Sequence, residues 1–388
     1  MVKKGRSTDG GRPFRPVVRP LAAIALLALL PLSVAARGPS RKGDAGRPER
    51  ARAPEGVADR IVGPAMRGKD LPGLVLGVVR DGQVVVERGY GVKSMDSPQG
   101  PDENTVFYIG SLSKALTAAG AMVLVERGQL DLEAPASRYL KDLPESWQSI
   151  TVDQFMAHQS GIPQLNRKLP TFEAMLRSAD SMPLAFKPGT KQVYNNFNYA
   201  VVGKIIEAIS GMSYLDFMHR EVFGPLHMDH TGYGIRSADE ATSYRMEGGR
   251  PVPIVHRLKG MYGIPSGHLQ STVADLLRFY EGIQPGGLLS PSAFRTMTTR
   301  VSPAFSGTPG WFEKKVGGLS VVTKNGATEG FHSILSFVPG KGDCVAMIWT
   351  SEKPKGDGLF KQTGELLHEV CGTPVAGRRE RAAAFRDE

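Results

Sequence analysis

Hydrophobic and polar positions follow different rhythms along this chain, and the rhythm changes twice. "LVLGVVRDGQVVVERGYGV" (74–92) carries two β-branched runs around Asp81-Gly82. An Asp-Gly pair between such runs predicts a hairpin, because both residues tolerate the positive φ that the tight turn demands. From Ser111 to Arg127 the apolar positions recur with a helical period, and Gly128 predicts the stop. "NYAVVGKIIEAISG" (198–211) and "TVADLLRFYEGI" (272–283) repeat the helical period between Pro- and Gly-containing loops. After about residue 315 the period shortens again. "GLSVVTK", "HSILSFV" and "CVAMIWT" read as strands, and "LFKQTGELLHEV" (359–370) as a last amphipathic helix.

Strands therefore lie at both ends of the folded part and helices lie between them. Terminal strands form one sheet only if the chain returns on itself, which makes the middle an inserted helical lobe. The expectation is an α+β fold, an antiparallel sheet flanked by helices with a cleft between sheet and lobe. No internal repeat is visible. The expected domain runs from 55 to 375, followed by a charged tail (376–388).

Composition changes the picture mainly at the N-terminus. The chain has 388 residues, 41% hydrophobic and 22% charged, so a sizeable core needs no metal or disulfide to form. Half of the formal charge of +10 lies in residues 1–36, where six Lys and Arg face only Asp9. The basic stretch ends at Arg19, and "PLAAIALLALLPLSVAA" follows without a charge. This order predicts a secretory signal, cleaved after Ala35 or Ala36, and hence an exported protein, periplasmic or secreted. An uncleaved membrane anchor is the alternative, since about 17–25 apolar residues can span a bilayer. Residues 37–54, rich in Arg, Pro and Gly, predict a disordered basic linker. Its partner would be solvent or an anionic cell envelope. An exported arm rarely meets nucleic acid.

Chemistry enters at "GSLSKALTAAGAMVLVERG" (110–128). Ser111 and Lys114 are three apart, so on a helix they share a face, and a desolvated lysine can exchange a proton with the hydroxyl. Taken alone, the pair also reads as an N-cap followed by a solvated lysine. "FKPGTKQVYNNFNYAVVGKII" supplies Tyr194 and Asn196 in a loop before a helix, a phenol and an amide two residues apart. Alone, that tyrosine also reads as packing on a helix start. "VVTKNGATEGFHSILSFVPG" places Lys324-Asn325-Gly326 at the end of a strand, before a Gly-rich turn and another strand. Other Lys-x-Gly matches, such as Lys187-Pro188-Gly189, lack that setting.

In the order Ser-x-x-Lys, Tyr-x-Asn, Lys-x-Gly, the chain resembles the serine β-lactamase and penicillin-binding-protein superfamily. The Tyr-x-Asn form is similar to its class C-related branch, which also holds D-alanyl-D-alanine carboxypeptidases, D-aminopeptidases and esterases. "ERGQLDLEAPASRYL", "TVDQFMAHQSGIP", "FGPLHMDHTGY" and "GHLQSTVADLLRF" look like further family landmarks, and the resemblance spans about 55 to 372. It implies a β-lactamase/transpeptidase-like fold and an acyl-enzyme serine hydrolase without cofactor or metal. Ser111 would be the nucleophile, and Lys114 and Tyr194 would share the acid and base work. Asn196 would orient the lysine and a substrate amide, and Lys324 would hold substrate charge. The N–H groups of Ser111 and Ala327 would form the oxyanion hole beside Gly326.

Two positions depart from the family pattern. Asn325 stands where a Thr or Ser hydroxyl usually meets a substrate carboxylate, and Glu329 where a small residue is usual. Both imply a small-molecule or peptide substrate that is a neutral or cationic ester or amide rather than a β-lactam. A class C-like β-lactamase and a non-catalytic envelope-binding protein on the same fold are the alternatives. His227 and His230 lack a third metal ligand, His158 is expected to be structural, and His332 receives no role. Ser113 is expected to be a helix-start residue. Cys344 and Cys371, the only cysteines, are expected to form a disulfide if an antiparallel return brings them together in an oxidising compartment.

Overall fold

Asp81 (φ 52°) and Gly82 (φ 74°) turn the chain between β1 (Gly73–Arg80) and β2 (Gln83–Gly91), as the Asp-Gly signal requires. The computed structural model describes residues 53–67, 71–165, 169–248, 250–256, 260–316, 318–351 and 359–372. The expected signal segment, nearly all of the 37–54 linker and the 376–388 tail lie outside the described residues. Among the described residues, no helix is long and apolar enough to cross a membrane.

The chain opens with helix α1 (Pro54–Met66), which begins on a proline as first turns tolerate. After the hairpin comes a two-residue strand, β3 (Phe107–Tyr108), then a 3-10 turn at Gly110–Leu112 and helix α2 (Ser113–Glu126). The lobe continues with α3 (Val152–Met156), α4 (Phe172–Ala179), α5 (Phe197–Ser210) and α6 (Tyr214–Met218). A small hairpin, β4 (Tyr244–Glu247) and β5 (Arg250–Pro253), precedes α7 (Ile264–Gly267), β6 (Gln270–Ser271), α8 (Val273–Ile283) and α9 (Pro291–Thr298). Then β7 (Phe312–Val316), β8 (Leu319–Thr328), β9 (Phe331–Val338), β10 (Asp343–Thr350) and α10 (Leu359–Glu369) complete the chain.

The main sheet is antiparallel in the order β2-β1-β10-β9-β8-β7. First and last strands meet inside it, where Leu74 pairs with Trp349 and Val79 with Cys344. The expected return of the chain is thus the β1–β10 ladder. Period-two alternation sends Val345, Met347 and Trp349 to one face, against α1 and α10. Cys344, Ala346 and Ile348 point to the other, into the core shared with α2, α5 and α8.

Several expectations are corrected by the structure. Ser111 lies in the 3-10 turn before α2 rather than in the helix. Lys324 lies inside β8, which runs on to Thr328, and the turn that follows is Glu329-Gly330. Both cysteines are free thiols. Cys344 is buried on the lobe face, whereas Cys371 packs with the opposite core and directs its Sγ to the Val79 carbonyl at 3.4 Å. Cys371 lies past α10, outside the sheet, and its thiol is engaged by the Val79 carbonyl rather than bridged to Cys344, although the chain ends do return together.

Candidate active site

Two glycines let β8 and the Ser111 turn touch. A Cβ on Gly110 (φ 51°) would lie 2.6 Å from the Ala327 nitrogen, and one on Gly326 would lie 1.9 Å from the Ile109 carbonyl oxygen. No side chain fits either gap, so the backbones of Ser111 and Ala327 come together there. Ser333 Oγ donates to that same Ile109 carbonyl at 2.7 Å and ties the turn to β9. Ser113 Oγ donates to the Gly110 carbonyl at 2.7 Å and accepts from the Leu269 N–H at 3.2 Å, a structural role consistent with its burial.

Lys114 is fully buried, which excludes the solvated-lysine reading. Its Nζ donates to Ser111 Oγ at 3.2 Å, to Asn196 Oδ1 at 2.7 Å and to the Ser266 carbonyl. An ammonium has three N–H groups, and these three oxygens match them. Because lysine only donates, Asn196 must turn its oxygen to Lys114 and its NH₂ elsewhere. Tyr194 hydroxyl and Ser111 Oγ are hydrogen-bonded at 2.6 Å. Lys114 Nζ lies 4.8 Å and Lys324 Nζ 5.0 Å from the centre of the Tyr194 ring. Lys324 is 2% exposed and also stands 4.6 Å over the Phe312 ring.

A buried layer beneath Tyr194 holds its loop. Asn195 donates through Nδ2 to the Ile162 and Pro163 carbonyls, both at 3.1 Å, and accepts the Phe197 N–H at 3.0 Å. His158, in a left-handed backbone (φ 60°), sets its ring 4.4 Å from that of Tyr194, tilted by 41°. Its Nδ1 accepts from the Asn195 N–H at 3.3 Å and lies 3.1 Å from Asn198 Nδ2, which donates to it. Ser160 Oγ bonds Asn198 Oδ1 at 2.7 Å. Burial, together with the Lys324 and Lys114 charges, holds the His158 imidazole well below its ordinary pKa of 6.5. His158 thus does not touch Ser111 and supports Tyr194 instead.

Pairing between β7 and β8 runs only to Thr323, so the Lys324–Thr328 edge of β8 faces the cleft. Lys324 and Gly326 share the lobe face of the strand. Asn325 alternates to the other face, opposite Ile334, and Ala327 offers its backbone. Glu329 is exposed at the far end, on the order of 15 Å along the strand from Lys324. Its charge therefore acts away from Lys324, contrary to the sequence expectation. His332 stacks on Trp349 with ring centres 5.4 Å apart, on the face away from the cleft. Among the described residues, no group of three or more His, Cys, Asp or Glu is arranged to hold a metal.

Sequence reasoning brought forward Ser111, Lys114, Tyr194, Asn196, Lys324, Gly326 and Ala327, and the fold assembles them around one point. It missed Ser266, whose carbonyl takes Lys114, and Phe312, Asn195 and Asn198. Only the doubled Asn in "YNNFN" hinted at the buried network.

Residues 58–368 match the Beta-lactamase family. The chain belongs to that family. PbpX of Bacillus subtilis strain 168, named as a penicillin-binding protein, is 30% identical over 71% of this chain and 69% of its own length. Protein flp of Staphylococcus aureus strain N315 is 26% identical over 56% of this chain, which spans 46% of that relative. Among solved structures, the octameric penicillin-binding-protein homologue from Pyrococcus abyssi superposes with a TM-score of 0.70 at 25% identity, over 83% of this chain and 77% of that one. The D-alanine carboxypeptidase AmpC from Burkholderia cenocepacia gives 0.69 at 24% identity, over 81% and 98%. The fold is that of the β-lactamase and penicillin-binding-protein superfamily, which supports acyl-enzyme serine hydrolase chemistry in general.

Proposed function

We propose that this β-lactamase-family chain is an exported serine hydrolase that cleaves an ester or amide through an acyl-Ser111 intermediate. One observation carries the reading: Ser111 Oγ is held between the Tyr194 hydroxyl at 2.6 Å and a fully buried Lys114. Lys114 gathers Ser111 Oγ, Asn196 Oδ1 and the Ser266 carbonyl, and the Tyr194 hydroxyl, the shorter contact on Ser111 Oγ, takes the part of the base.

In the reaction the Tyr194 oxygen takes the Ser111 proton as Oγ bonds to the substrate carbonyl carbon. The carbonyl oxygen becomes anionic and receives the N–H groups of Ser111 and Ala327; such donors are often worth about 3–4 kcal/mol of barrier. Tyr194 then returns the proton to the leaving oxygen or nitrogen as its bond to carbon breaks. Water, deprotonated by the same tyrosine, releases the acid and restores Ser111.

Mass spectrometry after exposure to a fluorophosphonate, a penicillin and a p-nitrophenyl ester tests the proposal. Wild type should gain one adduct at Ser111, and Ser111→Ala none. Equal labelling of Ser111→Ala refutes the assignment. Stable labelling by the ester without turnover favours a non-catalytic binder, and efficient penicillin turnover favours a β-lactamase.

A further inference from the structure

Gly110 separates two peptide groups, and a buried serine hydroxyl holds the carbonyl of each. The Ile109 carbonyl, before Gly110, accepts Ser333 Oγ at 2.7 Å and the Leu112 N–H at 3.2 Å. The Gly110 carbonyl, after it, accepts Ser113 Oγ at 2.7 Å beside the turn's own N–H from Ser113. Both serines are fully buried. The second peptide group is completed by the nitrogen of Ser111. Its N–H is the donor proposed for the substrate's carbonyl oxygen, so the Ser113 hydroxyl sits at the other end of that donor's own peptide group.

A peptide group is planar, so its C=O and N–H turn together. Holding the Gly110 carbonyl therefore aims the Ser111 N–H. The restraint matters because Gly110 stands at φ 51°, and a glycine leaves the peptides on both sides free to rotate. Ser333 opposes the rotation that would change φ of Gly110, and Ser113 opposes the one that would change its ψ. We propose that Ser113 and Ser333 are positioning residues for the oxyanion hole, which together fix both torsions of Gly110, and that Ser113 also strengthens the Ser111 N–H as a donor. The inference rests on the proposed acyl-Ser111 chemistry.

The direction of the Ser113 hydroxyl supports this role. Its oxygen accepts the Leu269 N–H at 3.2 Å, which leaves its own proton for the Gly110 carbonyl. Leu269 is tied to the same turn, since its carbonyl accepts the Ile109 N–H at 3.0 Å. A serine bonding back to a carbonyl of the preceding turn is an ordinary local contact. Here, however, that carbonyl is conjugated with the proposed catalytic donor. A hydrogen bond to the carbonyl oxygen draws electron density from the nitrogen, and linked hydrogen bonds strengthen one another by about 10–30%. The Ser333 bond starts from β9, directly opposite Gly326, so the clamp and the β8 seam share one anchor.

Gly110-Ser111 is the only Gly-Ser step in the chain. Isotope labels at glycine carbonyl carbons and serine nitrogens therefore give one NMR correlation, from this peptide alone. Wild type should show a single sharp correlation. Ser113→Ala should move its carbonyl shift upfield and broaden or double it, and Ser333→Ala should broaden or double it too. An unchanged correlation in both variants overturns the clamp, whether or not the protein hydrolyses anything. The functional half is read on the fluorophosphonate adduct of Ser111, labelled to completion. Donors on the phosphoryl oxygen should displace the wild-type phosphorus resonance from that of the denatured adduct, and Ser113→Ala should lose at least half of that displacement. Single-turnover acylation by p-nitrophenyl acetate should slow about tenfold or more in Ser113→Ala, less than the roughly 10²–10³ lost with a whole donor. Ser113→Thr, which keeps the hydroxyl, should recover both. Wild-type acylation and an unmoved phosphorus resonance in Ser113→Ala would reduce the hydroxyl to a fold contact and overturn the proposal, with the hydrolase left standing. If wild type takes no phosphonyl group, the hydrolase reading fails, and the peptide correlation alone decides the clamp.

Discussion

Tyr194 and Lys114 reach the same serine oxygen from opposite sides, and they should fail differently. Tyr194→Phe removes the proposed base and should slow acylation by about 10² or more while the fold persists. Lys114→Ala should do likewise, but it also orphans Asn196 Oδ1 and the Ser266 carbonyl, so it should cost stability as well. Near-normal acylation in both variants would dismiss the mechanism. His158 makes a separate prediction. Its Nδ1 accepts two N–H groups, so protonation there breaks both hydrogen bonds. Its native pKa is depressed, hence its stabilisation is complete above the unfolded value of about 6.5 and is lost as pH falls below it. The unfolded chain takes a proton that the native chain refuses, at up to ~1.4 kcal/mol per pH unit. His256, held to about 4, acts in the same direction between those values. His158→Asn keeps a side-chain acceptor and tolerates the left-handed backbone. Urea unfolding at pH 7.5 and 5.5 should show a shallower pH dependence in His158→Asn than in wild type. Parallel pH dependences would rule His158 out as the source.

At the scale of elements, the site is a seam between the 3-10 turn before α2 and the edge of β8. Gly326→Ala would press a methyl into the Ile109 carbonyl at 1.9 Å, with the Leu112 nitrogen of the same turn and the Ser333 hydroxyl also within 3 Å. Overpacking of this kind costs about 1–3 kcal/mol. The strand would have to move away, taking the Ala327 N–H with it. The expected result is a lowered midpoint in urea and a loss of acylation rate larger than the stability loss explains. A Gly326→Ala protein with wild-type acylation would show that the seam does not set the oxyanion geometry. Gly282, with a Cβ position 2.2 Å from Leu226 Cδ2, is a control: its alanine variant strains the lobe without touching β8.

Across the whole molecule, the sheet is closed by strands from the two ends of the described domain, and the thiols report on that closure. Cys344 is fully buried with its pKa raised well above the ordinary value by burial, and Cys371 is pushed up to about 12 for the same reason. Neither is a ready nucleophile. Ellman titration of the unreduced, denatured protein should count two thiols per chain, and the native protein should react slowly. A count of zero would mean that a bridge forms and that α10 docks differently. The same closure makes α1 and α10 neighbours over one core, where Val57, Ile61, Val62, Leu366 and Leu367 are buried.

The sequence by itself determined the elements whose signals are local. Asp81-Gly82 specified its hairpin through the φ values that the turn needs. The helical period marked α2, α5, α8 and α10 to within a residue or two at most ends, and short apolar runs marked β9 and β10. Three motifs in order named the serine, the lysines and the tyrosine. Tertiary structure decided what depends on residues far apart in the chain. β7 has little apolar alternation of its own, and its identity as a strand comes from pairing with β8. Helix α1 sat at the edge of a segment read as linker, because its apolar stripe gains meaning only against β1 and α10. The cysteines came to one end of the fold without bridging, because where α10 ends and what its last turn packs on is a tertiary matter. The buried Asn195–His158–Asn198 layer was invisible for a similar reason. A polar residue in a loop looks solvated in a sequence, and only the fold shows that its hydrogen bonds are spent on holding Tyr194 in place.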